Sequence, residues 1–333
     1  MQIVLVTDAW DPQVNGVVRN YKSIIAVLEK QGHAVRVISP LEFASMPCPT
    51  YPEISLSLFP RRKLARLIDA AQPDAVHIAT EGPLGWAARA ICQARGWPFS
   101  TCYHSKFPEY IEERFHIPVN WSYQVMRHFH AAARHTVVTN EDLRDELAAR
   151  GFDHLRLRTM GVDATLFKPA TDKTYLNLPR PLFVCHGRVA PEKNLEAFLR
   201  LDLPGSKLVV GPGPLLPKLQ KQFPKATFTG YLPDPELART IAAADAFVFP
   251  SLTETFGLVQ LEALACGVPV AAFPVTGPKA VLQGSDAGVL HHDLGHAAMA
   301  ALKVKPALCR THAKTFTWEA AAEGFMAALT PLK

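Results

Sequence analysis

Short apolar runs, each followed by a glycine- or proline-bearing loop and then by residues at helical spacing, recur along most of this chain. Ile3–Val6 leads into TDAWDPQVNG, after which Val17, Val18, Tyr21, Ile24, Ile25 and Leu28 repeat at helical intervals up to Gly32. Ala34–Ile38 is the next run, so the opening is β-α-β. Strands that are apolar on both faces, alternating with amphipathic helices, are stable in a parallel sheet covered on both sides. The alternation continues through Asp74–Ile78, Phe99–Tyr103 and Thr136–Thr139. It begins again at Leu182–Cys185 and runs on through Lys207–Val210, Ala226–Thr229, Ala246–Phe249 and Val268–Phe273. The predicted fold class is therefore α/β, with two doubly wound, Rossmann-like sheets. A length of 333 residues suits two domains. The segment Phe167-Lys168-Pro169 reads as the linker, giving domains 1–167 and 168–314. The closing segment 315–333 has helical apolar spacing and is expected to pack back onto the first domain.

Composition narrows the function classes. Hydrophobic residues make up 48% and charged residues 20%, which describes a globular protein with a sizeable core. The net charge of +5 is shared by both halves with no basic block, which argues against nucleic acid as a partner. The cysteines Cys48, Cys92, Cys102, Cys185, Cys266 and Cys309 are scattered, with no C-x-x-C pair, as free thiols are in a reducing cytosol. MQIVLVTD has no basic lead-in and reads as a strand, and no uncharged apolar run is long enough to span a bilayer. The expected location is cytoplasmic.

The chemistry concentrates in PSLTETFGLVQLEALACGVPV, residues 250–270. Glu254 falls in a loop and Glu262 inside a short apolar helix expected from Gly257 to Gly267. Eight residues apart, the two acids would point about 80° apart if both were helical. With Glu254 ahead of the first turn, both can reach one ligand. Between them the backbone N–H groups of Thr255, Phe256, Gly257 and Leu258 lie at a positive helix end suited to an anion. Carboxylates beside such a seat fit a sugar-nucleotide, whose hydroxyls need acceptors and whose diphosphate needs donors. The plainer reading is a surface helix with a capping acid and one paired, half-buried glutamate.

Other strand ends carry further candidates. Arg188 and Lys193 leave Leu182–Cys185 on the loop HGRVAPEKN, as cations for a diphosphate or as partners of surface acids. His104 stands at the carboxyl end of Phe99–Tyr103, facing a ligand crevice or held as a structural histidine. Asn15-Gly16 precedes the first helix without a G-x-G-x-x-G fingerprint. LFPRRKLARLIDAA puts Arg61, Arg62 and Arg66 opposite Leu64, Leu67 and Ile68, a pattern for an anionic lipid surface or for a solvated helix face.

Taken together, DAWDPQVNGVVRN, YHS at 103–105, GRVAPEKN at 187–194 and Glu254-x7-Glu262 resemble the retaining GT-B glycosyltransferases of glycosyltransferase family 4 (group 1). That family includes bacterial phosphatidylinositol and diacylglycerol glycosyltransferases, sucrose synthases and many lipopolysaccharide enzymes. The resemblance covers nearly the whole chain and lies nearest to the branch transferring mannose, glucose or glucuronic acid to membrane glycolipids. It implies two Rossmann-like domains facing across a cleft. It also implies that Gly16 backs onto the donor diphosphate, His104 sits near the transferred sugar, and Arg188 and Lys193 hold the phosphates. Glu254 would contact the donor sugar, the amides of Thr255, Phe256, Gly257 and Leu258 the sugar and phosphates, and Glu262 the ribose hydroxyls. Retention of anomeric configuration is likewise an implication of the resemblance.

Breaking the anomeric bond leaves a doubly charged diphosphate, which Arg188, Lys193 and the amides at 255–258 can stabilise. The chain has no D-x-D triplet, so no metal or other cofactor is expected. A GDP- or UDP-linked donor, a lipid acceptor and an anionic membrane surface at Arg61, Arg62, Lys63 and Arg66 are the expected partners. The short loops Leu201–Lys207 and Gly284–Leu294 leave the choice of base open. A soluble sugar acceptor, a sugar-nucleotide 2-epimerase and a non-catalytic sugar-nucleotide binder are the alternative readings.

Overall fold

The structure is a computed structural model that describes residues 1–13, 15–48 and 51–332, with the side chains of 51–53 left aside. The chain divides into two compact units, one of Met1–Met160 with Trp318–Lys333 and one of Gly161–Thr317. The division falls ahead of the proline-containing segment read as the linker. Phe167 is buried, and Arg310 donates to the carbonyls of Ala164, Phe167 and Ala265, which ties that segment into the second unit.

The first unit is built on β1 (Gln2–Val6), α1 (Gly16–Lys30), β2 (Ala34–Ile38), β3 (Ser45–Cys48), β4 (Tyr51–Ser57), α2 (Arg61–Ala71), β5 (Ala75–Ile78), α3 (Pro83–Arg95), β6 (Ser100–Cys102), α4 (Phe107–Phe115), α5 (Val119–His130), β7 (His135–Val138), α6 (Glu141–Ala149) and β8 (Leu155–Leu157). Its parallel sheet has the order β2-β1-β5-β6-β7-β8, so the winding reverses between β1 and β5. The antiparallel β3–β4 hairpin and the helices α4 and α5 add to the alternation read from the sequence. α1 forms because Val18, Tyr21, Ile24 and Leu28 share one buried face and the Asn15 side chain accepts from Val18 N at 3.0 Å.

The second unit follows with β9 (Leu182–His186), α7 (Leu195–Leu199), β10 (Ser206–Val210), α8 (Leu216–Gln222), β11 (Thr227–Gly230), α9 (Asp234–Ala242), β12 (Ala246–Phe249), α10 (Leu258–Ala265), β13 (Val270–Ala272), α11 (Thr276–Leu282), β14 (Gly288–Leu290), α12 (Leu294–Ala301) and α13 (Pro306–Ala313). Its sheet order is β11-β10-β9-β12-β13-β14, all parallel, with the reversal between β9 and β12. The last helix, α14 (Trp318–Ala328), belongs to the first unit. Ala321, Ala322, Phe325 and Leu329 pack there on Tyr21, Ile24 and Leu28 of α1. Two parallel, doubly wound sheets are thus present, as the sequence predicts. No helix among the described residues is long and apolar enough to cross a membrane.

Candidate functional site

Where a doubly wound sheet reverses, the loops from the two central strands diverge and leave a crevice at their carboxyl ends. In the second unit that point lies between β9 and β12, and both strands deliver charge to it. Lys193, in a single 3₁₀ turn after β9, donates to the Glu254 carboxylate on the loop after β12. Both ends of this pair are half-buried, with 24% and 17% of each side chain exposed. Asn194 ties the same two loops by donating Nδ2 to Pro250 O at 3.0 Å. Arg188 lies on the same β9 loop and pairs with the buried Glu192 at 2.8 Å.

α10 begins where the sequence suggests. Gly257 holds its N-cap at φ +85°, and that end has no side-chain cap. Only glycine adopts such a backbone freely, and here a Cβ would lie 2.9 Å from the Phe249 ring and 2.7 Å from Gln260 Nε2. Thr255, Phe256 and Leu258 are buried, and Phe256 meets Phe316 edge to face at 6.1 Å. Glu262 is 3% exposed within a helix buried on nearly every side, with His186 Nε2 at 3.7 Å from its carboxylate. A carboxylate in so apolar a helix is costly unless it is partnered. The structure joins Lys193 to Glu254, places His186 Nε2 3.7 Å from Glu262, and sets Arg188 beside Glu192.

Sequence reasoning gave no role to His186, Glu192, Asn194 or Gln260. Gln260 is fully buried and folds back on its own helix, with Nε2 donating to Phe256 O at 2.8 Å while Oε1 has no partner among the described residues. His186 directly follows an apolar run, as His104 does, and that position was the available signal.

Gly16 and His104 belong to the first unit. Gly16 is the exposed first residue of α1. His104 follows β6, and its Nε2 lies 2.9 Å from the Tyr21 hydroxyl. Burial, reinforced by the cation of Arg158, pushes its imidazole down to about 3, so the ring is neutral. At this unit's reversal Asp8, after β1, meets the N-terminus of α3, after β5. Its carboxylate accepts from Leu84 N at 2.8 Å, Gly85 N at 3.2 Å and Thr80 Oγ1 at 3.0 Å. Gly82 makes room for it, because a Cβ there would sit 2.4 Å from the Asp8 carboxyl carbon. Burial pushes Asp8 up to about 6 even though these donors pull the other way. Among the described residues no three His, Cys, Asp or Glu side chains gather as metal ligands would.

On α2, Arg61, Arg62, Lys63 and Arg66 are exposed while Leu64 and Ile68 are buried, and Phe59 just before the helix is 97% exposed. Lys63 is partly engaged, donating to Glu42 O and lying 5.4 Å over the Phe43 ring.

The fold is shared with known proteins. A sucrose-phosphate synthase (tll1590) from Thermosynechococcus elongatus has it, with TM-score 0.77 at 22% identity over 98% of each chain. The chain is 32% identical to the sulfoquinovosyl transferase SQD2 of Arabidopsis thaliana over 78% of its own length, but it spans only 56% of that protein. It is 30% identical to a GDP-mannose-dependent alpha-mannosyltransferase of Mycolicibacterium smegmatis, covering 87% of this chain and 84% of that one. Identity to an alpha-monoglucosyldiacylglycerol synthase of Streptococcus pneumoniae is 26%, covering 98% and 83%. Residues 14–166 match Glycosyltransferase Family 4 and residues 180–304 match Glycosyl transferases group 1. With both domains in order on a pair of doubly wound sheets, the chain belongs to the family 4, group 1 glycosyltransferases.

Proposed function

We propose that this glycosyltransferase moves a hexose, whether mannose, glucose or glucuronic acid, from a GDP- or UDP-linked donor to a membrane lipid such as diacylglycerol or phosphatidylinositol, with retention and without a metal. The observation that carries the donor half is the Lys193–Glu254 pair across the β9/β12 reversal, beside the uncapped start of α10. A diphosphate entering there would draw Lys193 from Glu254 and release the carboxylate to accept sugar hydroxyls. Arg188 and the amides of Thr255, Phe256, Gly257 and Leu258 would meet the negative charge that grows on the leaving phosphate, where preorganised donors are worth most. Glu262, with His186 Nε2 3.7 Å away, would take the ribose hydroxyls. Gly16 would back onto the diphosphate and His104 would meet the transferred sugar.

The lipid acceptor draws support from the pneumococcal relative, whose name states a diacylglycerol glycolipid product. The exposed Arg61, Arg62, Arg66 and Phe59 suit an anionic bilayer surface, with cations on phosphates and an aromatic ring among the headgroups. Such an enzyme would work at the cytoplasmic membrane face. The test is nucleotide release from GDP-mannose, UDP-glucose and UDP-glucuronate, with and without vesicles of diacylglycerol or phosphatidylinositol. Release stimulated at least tenfold by one lipid is expected. Equal turnover on a water-soluble sugar would overturn the lipid assignment, and donor isomerisation without an acceptor would overturn transfer.

A further inference from the structure

Gln260 stands in the first turn of α10, fully buried in a helix that is apolar on nearly every side. Its Nε2 donates to Phe256 O at 2.8 Å and reaches Gly257 O at 3.5 Å. Its backbone N–H donates to Gly257 O at 3.0 Å. One residue thus holds the carbonyls of two successive peptides, Phe256–Gly257 and Gly257–Leu258. α11 also comes close to this loop's carbonyls, since a Cβ at Gly277 would sit 2.8 Å from Glu254 O and 3.1 Å from Phe256 O.

A trans peptide is planar, so its N–H points away from its C=O. With Phe256 O and Gly257 O turned in to Gln260, the N–H groups of Gly257 and Leu258 are aimed the opposite way, off the start of α10. Nothing in Gly257 itself enforces this. Glycine adopts φ of either sign freely, so at an N-cap of φ +85° the Phe256–Gly257 peptide could turn over and present a carbonyl oxygen where its N–H now stands. A buried glutamine also carries a cost here, because its Oε1 has no partner among the described residues. Methionine or leucine would occupy the place without a bare polar atom. What glutamine alone supplies is the donor to Phe256 O.

We propose that Gln260 is a positioning residue that locks the Phe256–Gly257 peptide with its N–H outward, and so keeps the start of α10 ready for an anion. The proposal rests on the reading that these amides receive the donor diphosphate. Donors fixed before the charge develops stabilise it without having to reorganise. Without the lock, a diphosphate would first have to select the outward peptide, and the turned peptide would set a carbonyl oxygen against it.

The test combines spectra and kinetics on the full chain. The pair Phe-Gly occurs once in the sequence, so carbonyl-¹³C phenylalanine with ¹⁵N-glycine reports this peptide alone by NMR. Gln260→Met keeps the length of the side chain and removes the donor. Its ligand-free spectrum should show the Phe256 carbonyl and the Gly257 nitrogen both displaced from their parental positions. In nucleotide release from GDP-mannose or UDP-glucose, kcat should fall about tenfold with KM within about threefold, because these amides act on charge that grows in the transition state. Unchanged resonances, a parental kcat, or a loss carried wholly by KM would each overturn the lock. Gln260→Leu lacks the donor too and should behave alike, which keeps the test open if the methionine variant does not fold. If the parental Gly257 nitrogen does not respond to saturating UDP or GDP, the diphosphate reading fails, while the lock stands or falls on the ligand-free spectra.

Discussion

The two sheets reverse at equivalent places and fill them in opposite ways. At β1/β5 the start of α3 is occupied from within, by a buried aspartate that takes two of its amides and a threonine hydroxyl. At β9/β12 the start of α10 has glycine at its cap, and the nearby carboxylate of Glu254 is committed to a lysine. A helix N-terminus attracts an anion wherever one is available. The first unit supplies its own and closes the place to phosphate. The second holds a cation and an acid in a half-buried pair, which on the proposed reading a diphosphate would part. Architecture alone does not locate an anion site; what already stands at the helix end does.

The widest separation between the two places should come from removing their carboxylates in turn. Glu254→Ala is expected to lower transfer by about 10²-fold or more, since preorganised contacts at a reacting centre carry that much, while its urea midpoint stays near that of the parent. Near-parental nucleotide release by this variant would remove the site assignment. Lys193→Ala and Arg188→Ala should each reduce kcat well beyond any rise in KM, because they act on charge that develops in the transition state.

Asp8→Ala tests the other side of the comparison. It orphans two buried amides and should lower unfolding stability by about 2–3 kcal/mol in urea titrations. The pH profile carries the same signature. Asp8 titrates near 6 in the folded chain against 3.8 ordinarily, so its contribution is full below about 3.8, falls as pH rises through about 6 and is flat above. Asp8→Asn should remove that slope, and a slope of opposite sign would refute the burial account.

Smaller effects follow. Glu262→Ala should weaken nucleotide binding by about 1–3 kcal/mol, the loss of one charge-assisted contact, as read by calorimetry with GDP and UDP. Arg61→Gln or Arg62→Gln should each reduce partition onto anionic liposomes by about 1 kcal/mol at low salt. Lys63→Gln should do less, because its ammonium is already engaged by Glu42 O and the Phe43 ring. Parental sedimentation of a variant with all four basic residues changed to Gln would show that α2 is no anchor. The smallest change is expected from EDTA, which should leave the rate unaltered. Loss of activity restored by Mg²⁺ or Mn²⁺ would contradict that.

Much of this was legible in the order of residues. Short continuous apolar runs and period-3.6 apolar patterns are local, and so are caps such as Asn15 and breaks such as Gly257, which is why two doubly wound sheets and the start of α10 could be read directly. Glu254, Lys193 and Arg188 stood out because they lie on loops just beyond apolar strands, at the carboxyl edge where doubly wound sheets bind ligands. Pairings could not be read in this way. Asp8 finds Thr80 and Leu84, Lys193 finds Glu254, and His77 finds Tyr21, all across strand reversals or helix faces far apart in the chain. Which partner a polar side chain takes depends on which strands become neighbours and on how much water the packing expels. Both are settled only when the sheet closes, so the sequence determined the elements and their charged ends, and the tertiary structure decided which of those ends are filled, paired or left for a ligand.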